Sequence, residues 1–186
     1  MSAAVLLVRP AETHDFEAIR AIYAHAVETG CASFELDAPS LAEMLARRDK
    51  LAADGFPWLV AEAEGRILGY GYFGFYRTRP AYRFTVENSV YVAPDAKGRG
   101  VGRALMVDLV ARAEAMGYRR MIAVIGDSGN AASIGLHAAL GFEPAGVLPS
   151  VGWKHGRWLD SVLMQRPLGA GDATPPVDRA PAEATA

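Results

Sequence analysis

A single cysteine, Cys31, stands among the 186 residues, so no intramolecular disulfide forms and a zinc cluster built on thiols alone is excluded. Apolar runs are short. None nears the ~20 residues that a membrane-spanning helix needs, and Val5-Leu6-Leu7-Val8 is shorter than a secretory h-region and reads as a first strand. Charge of one sign is not in excess: 19 basic residues face 21 acidic ones for a formal net charge of -2, which offers no global field to hold a polyanion. Nucleic acid and membrane are therefore not expected partners, and the composition suits a reducing cytoplasm. Histidines are few; His14 and His25 lie on or beside one helix with no companion at ligand spacing, so no metal site is expected.

What is present is apolar content of 51%, enough for the core of one domain. Residues 1–168 are expected to form it. Residues 169–186, rich in Ala, Pro, Asp and Glu without a periodic apolar face, are expected to be a disordered tail. Phe16, Ile19, Ile22, Tyr23, Ala26 and Val27 recur at helical spacing up to Gly30, and Ser40-Leu41-Ala42-Glu43 announces a second helix through a capping box. Extended runs follow at 58–62, 67–76 and 84–92. Beyond them, helices at 101–116 and 130–140 alternate with strands at 120–125, 142–147 and 158–164. Strands first and alternation later predict an α/β fold: a mixed central sheet with helices on both faces.

The most informative stretch is Lys97-Gly98-Arg99-Gly100-Val101-Gly102-Arg103, which follows the strand ending at Val92 and opens a helix. Glycines at alternate positions allow a tight turn that aims several amides one way, and the helix beginning there adds its positive dipole end. Lys97, Arg99 and Arg103 add charge that suits a diphosphate. A Walker ending Gly-Lys-Ser/Thr is absent, and in a dinucleotide fingerprint counted from Gly98 the third glycine falls on Arg103. The plainer alternative is a tight strand-to-helix connection with no ligand.

These residues resemble the GCN5-related N-acetyltransferase (GNAT) family, whose turn reads Gln/Arg-x-x-Gly-x-Gly/Ala; Lys97 departs from it, while Gly100 and Gly102 fit. Asn130-Ala131-Ala132-Ser133, His137 and Leu140-Gly141-Phe142 resemble the family's second coenzyme segment. Thr85-Val86-Glu87-Asn88-Ser89, Ser128-Gly129-Asn130 and Gly152-Trp153-Lys154-His155-Gly156-Arg157-Trp158 look most like its phosphinothricin and methionine sulfone or sulfoximine acetyltransferases. The resemblance implies the GNAT fold, with acetyl-coenzyme A in a V between two splayed parallel strands that end near Val92 and Ile125. It implies a coenzyme site of Val90, Tyr91, Val92, Lys97, Gly98, Arg99, Gly100, Val101, Gly102, Arg103, Asn130 and Ser133. It also implies a cytoplasmic homodimer that detoxifies small amines.

Acetyl transfer to an amine needs a base, because an ordinary ammonium with a pKa near 10 is neutral in only about one molecule in a thousand at pH 7. Glu87 shares a strand face with Ser89 and Tyr91, and the resemblance makes it the general base. His137 stands where many relatives carry a proton-donating tyrosine; it is either the general acid or a hydrogen-bonded residue that shapes the pocket. The amine is expected against Phe34, Arg77, Thr78, Arg79, Tyr82, Glu87, Asn88 and Ser89, with Arg77 best suited to grip an acidic head group through paired hydrogen bonds. His155 and Trp158 rank behind these. Peptide or lysine acetylation, and coenzyme sensing without catalysis, are the alternatives.

Overall fold

The computed structural model describes residues 5–177. Seven strands form one sheet: β1 (Leu7–Pro10), β2 (Trp58–Ala63), β3 (Arg66–Phe75), β4 (Thr85–Val92), β5 (Arg120–Gly126), β6 (Glu143–Lys154) and β7 (Arg157–Pro167), in the order β1-β2-β3-β4-β5-β7-β6. Every neighbouring pair is antiparallel except β4 and β5, which run parallel. Among the described residues four α-helices cover the sheet: α1 (Phe16–Thr29), α2 (Leu41–Ala53), α3 (Val101–Ala115) and α4 (Ala131–Ala139). This is the mixed-sheet architecture expected.

Side-chain alternation assigns the helices to faces. On β3, Tyr70 and Tyr72 point toward α1 and α2 and join Trp58 and Phe16 in an aromatic layer, with the Trp58 and Tyr72 rings 4.3 Å apart. Gly69 and Gly71 point the other way. A Cβ on either would press Val101 or Leu109 of α3 at 2.8–2.9 Å, so these glycines let α3 lie close against the sheet. The tyrosine–glycine alternation of the sequence thus encodes one aromatic face and one face for close helix approach. Ser40 caps α2 by accepting from the Glu43 amide at 3.1 Å, the serine half of the expected capping box, while the Glu43 carboxylate accepts from Arg47 at 2.9 Å instead.

Three segments differ from expectation. The first strand begins at Leu7 because pairing with β2 runs from Leu7↔Glu62 to Pro10↔Leu59, and Arg9 is held there by Asp15 and Glu62 at 2.7–2.8 Å. The last two strands form a far longer hairpin than 142–147 and 158–164. Most of β6 is exposed, with irregular pairing at Pro144/Gly146 and Leu148/Gly152, so it lacks the buried alternation that marks a strand. Residues 169–177, assigned to the tail, form turns tied to Arg119, whose guanidinium donates to the Gly171 and Thr174 carbonyls at 2.7 Å; residues 178–186 of that tail lie outside the described residues.

Candidate active site

The parallel pairing of β4 with β5 runs only from Thr85↔Arg120 to Asn88↔Ala123. Beyond it β4 stays with β3 as far as Val92, and β5 stays with β7 as far as Gly126. The two strands therefore splay after Asn88, and the facing backbone edges of 89–92 and 124–126 have no ladder partner. A cleft of about 720 Å³ opens there, walled by Val90, Tyr91 and Val92 on one side and by Gly126, Asn130, Ser133 and Leu136 on the other.

The glycine turn closes one end. Gly98 and Gly100 have φ of +74° and +82°, a region that glycine enters without steric cost. Gly100 is the N-cap of α3 with no side-chain cap, so the first-turn amides remain available to an anion. Gly102 answers to packing instead: a Cβ there would stand 3.2 Å from Leu136 and 3.5 Å from Val92. Lys97, Gly98, Gly100, Val101, Gly102 and Arg103 all line the cleft. Arg99 is not among the lining residues and is exposed. Uncapped amides, glycine-only backbone and a gap between strands fit a diphosphate with a long arm, as acetyl-coenzyme A has.

Glu87, Ser89 and Tyr91 project to the α1 side, where the Tyr91 ring meets Tyr23 edge-on at 4.9 Å and Ser89 hydrogen-bonds Tyr72. Glu87 is half-buried. Burial pushes its carboxyl above the usual carboxylate range, and the positive charge of Arg77 partly opposes this. Arg77 is itself exposed and lies over the Tyr76 ring at 4.9 Å. Thr78, Arg79 and Tyr82 are exposed on the same loop, with Tyr82 packed on Tyr76 at 5.9 Å.

Phe34, expected at the amine site, sits in a loop fastened through Ser33, Glu35 and Arg47, which pattern reading did not single out. Phe34 packs on Gly152 of β6, where a Cβ would stand 2.6 Å from its ring. Around it the 31–35 loop is fastened by side chains distant in sequence. Buried Lys154 donates to the Ser33 carbonyl at 2.7 Å, Tyr23 donates to Glu35 at 2.8 Å, and Arg47 donates to Glu35 at 2.7 Å. Burial lowers the Lys154 pKa while nearby Cys31 and Glu35 raise it. His25 also lines the cleft, away from any metal set: no cluster able to hold a metal ion occurs among the described residues. His155 is exposed and donates to the Gly30 carbonyl at 3.2 Å, and exposed Trp158 packs against Trp153 at 5.3 Å.

His137 lies under the fork, 2% exposed. Its Nδ1 is 2.8 Å from the Ser133 carbonyl, an acceptor, and its Nε2 is 2.9 Å from Asn88 Nδ2, a donor. Burial lowers its pKa, against a smaller upward pull from the Ser133 carbonyl. The ring is therefore the neutral tautomer with its proton on Nδ1, committed to the backbone.

A cleft at a β4–β5 fork, with a glycine turn leading into the following helix, defines a class. The chain belongs to the acetyltransferase (GNAT) family, whose model matches residues 16–142. A phosphinothricin N-acetyltransferase of Alcaligenes faecalis is 60% identical over 91% of this chain and 86% of its own. An L-methionine sulfoximine/L-methionine sulfone acetyltransferase of Pseudomonas aeruginosa is 45% identical over 90% and 98%. Among solved structures, a phosphinothricin acetyltransferase from Sinorhizobium meliloti in complex with acetyl-coenzyme A matches with a TM-score of 0.90 at 46% identity, covering 93% of this chain and 94% of that one.

Proposed function

We propose that this protein transfers the acetyl group of acetyl-coenzyme A to the primary amine of a small amino-acid-like compound of the phosphinothricin or methionine sulfone or sulfoximine kind. The observation that carries the reading is a half-buried carboxylate, Glu87, on the strand that forms one wall of the fork. The 98–103 amides and the Lys97 and Arg103 charges would hold the diphosphate, and Asn130 and Ser133 would flank the arm. When bound, the coenzyme supplies an activated acyl carbon with a thiol leaving group. Backbone amides of Val90 and Val92, unpaired on the β5 side, would face the place where carbonyl charge develops.

Glu87 takes the proton that the substrate ammonium must lose. Its raised pKa suits this, since a carboxylate with greater proton affinity is a stronger base while still ionised near neutral pH. Arg77 offers a guanidinium to an acidic head group, Ser89 and Tyr72 provide hydroxyls beside it, and Phe34 closes the far side. Such an enclosure favours a small molecule over a peptide. Acetylation removes the charge and nucleophilicity of the amine, which supports a detoxifying part; acyl-coenzyme donors are used inside the cell, which supports a cytoplasmic one. The outer strand β6 and its neighbour expose Val147, Leu148, Val151, Trp153 and Trp158 at 49–60%, an apolar face suited to a second copy of the chain.

A thiol-release assay with acetyl-coenzyme A tests the reading across phosphinothricin, methionine sulfone, methionine sulfoximine, plain amino acids and short peptides. Turnover of the tetrahedral analogues at kcat/KM above that of peptides is expected. A preference for peptides would overturn the substrate class, and sedimentation of a dilute sample as a monomer would remove the homodimer.

A further inference from the structure

At the crotch of the fork lies a small hollow of about 50 Å³, lined among others by Asn88, Ala123, Ile125, Ser133 and His137. It shares Val90, Tyr91, Gly126, Asn130 and Ser133 with the coenzyme cleft and so opens into it. Asn88, 6% exposed, occupies the last paired position of β4 and β5. Its Nδ2 donates to His137 Nε2 at 2.9 Å and approaches Met106 Sδ at 3.4 Å. Its Oδ1 is buried and has no partner within the described residues. A buried carbonyl left without a donor is costly, so one kept beside a ligand cleft calls for a donor from the ligand.

We propose that Asn88 is a coenzyme-binding residue, its side-chain carbonyl accepting a hydrogen bond from an amide N–H of the acyl donor's arm, and that His137 is the positioning residue that fixes the Asn88 amide for it. The orientation follows from the imidazole. With the Nδ1 proton given to the Ser133 carbonyl, Nε2 presents a lone pair. Turning the Asn88 amide over would set its oxygen against that lone pair at 2.9 Å and against the thioether sulfur, itself only an acceptor. Both neighbours therefore draw the NH₂ group inward and leave the oxygen for the fork. His137 thus acts through Asn88, not as a proton donor to the thiol, because its one proton is spent on the backbone. This rests on the coenzyme reading of the fork given above.

Calorimetry with coenzyme A and with acetyl-coenzyme A tests it on the full chain. Asn88→Leu is expected to weaken binding about tenfold, the loss of one buried hydrogen bond. His137→Leu is expected to do the same, and His137→Gln, whose side-chain oxygen again accepts from Asn88, to regain most of the affinity. Wild-type ¹⁵N spectra, which need no variant to fold, are expected to show His137 protonated on Nδ1 and bare on Nε2 from pH 6 to 8. An Asn88→Leu protein that binds both coenzymes like the wild type, or a His137 ring protonated on Nε2, overturns the proposal. So does turnover about 10²-fold lower in both His137 variants at saturating coenzyme, the mark of an acid. Failure of the wild type to take up acetyl-coenzyme A would instead sink the coenzyme reading itself.

Discussion

In the proposed coenzyme site, the groups expected to face the diphosphate are backbone amides from one continuous stretch, 98–103. In the proposed amine site they are side chains from the 31–35 loop, β3, the loop before β4, β4 itself and the β6–β7 hairpin, where Phe34 meets Gly152 and Lys154 holds the Ser33 carbonyl. Backbone recognition depends on φ values that only glycine tolerates, so it leaves a local signature and resists substitution. Side-chain recognition depends on packing between distant segments, so it leaves almost none and can be retuned one contact at a time. One family can therefore keep a coenzyme while changing its amine.

Substitutions at the two ends should separate these modes. The largest effect is expected at Glu87, where the two meet. Glu87→Gln should lower kcat by about 10²-fold or more with coenzyme affinity intact by calorimetry; an unchanged rate would remove the base. Next, Gly100→Val forces a β-branched residue to a φ of +82° with open space around it, so backbone strain alone acts. Affinity for acetyl-coenzyme A should fall about tenfold or more while KM for the amine at saturating coenzyme changes little. Lys154→Met removes the clamp on the Ser33 carbonyl and should do the converse, raising amine KM roughly fivefold and sparing coenzyme affinity.

The smallest effect is a pH shift. Burial raises the Glu87 pKa and Arg77 lowers it, so Arg77→Gln leaves burial unopposed. The base then becomes protonated at higher pH as acidity increases, and the acid limb of kcat/KM should move upward. An unmoved limb would show that Arg77 does not act on Glu87.

The same contrast explains what the sequence revealed. The faces of α1 and α3, the glycine turn and the strand bearing Glu87 are periodic or local features, and each is legible along a single segment. The fork is not legible on any one segment and was expected only through the family resemblance, because it arises where β4 and β5 cease to pair while each keeps its outer neighbour. Neither is the Lys154–Ser33 bond, which joins residues 121 apart, nor the Tyr23–Glu35–Arg47 cluster. The length of β6 was hidden because an exposed edge strand with glycine and proline carries no apolar alternation. Arg99 belongs to the turn by sequence, and its side chain is exposed to solvent.

A crystal structure of the full chain with coenzyme A bound would test the central claim most directly. The diphosphate should lie within hydrogen-bonding distance of the 98–103 amides, with the thiol between the diverging ends of β4 and β5 on the side of Glu87. A diphosphate held elsewhere, or a thiol emerging on the α3 face away from Glu87, would contradict the account.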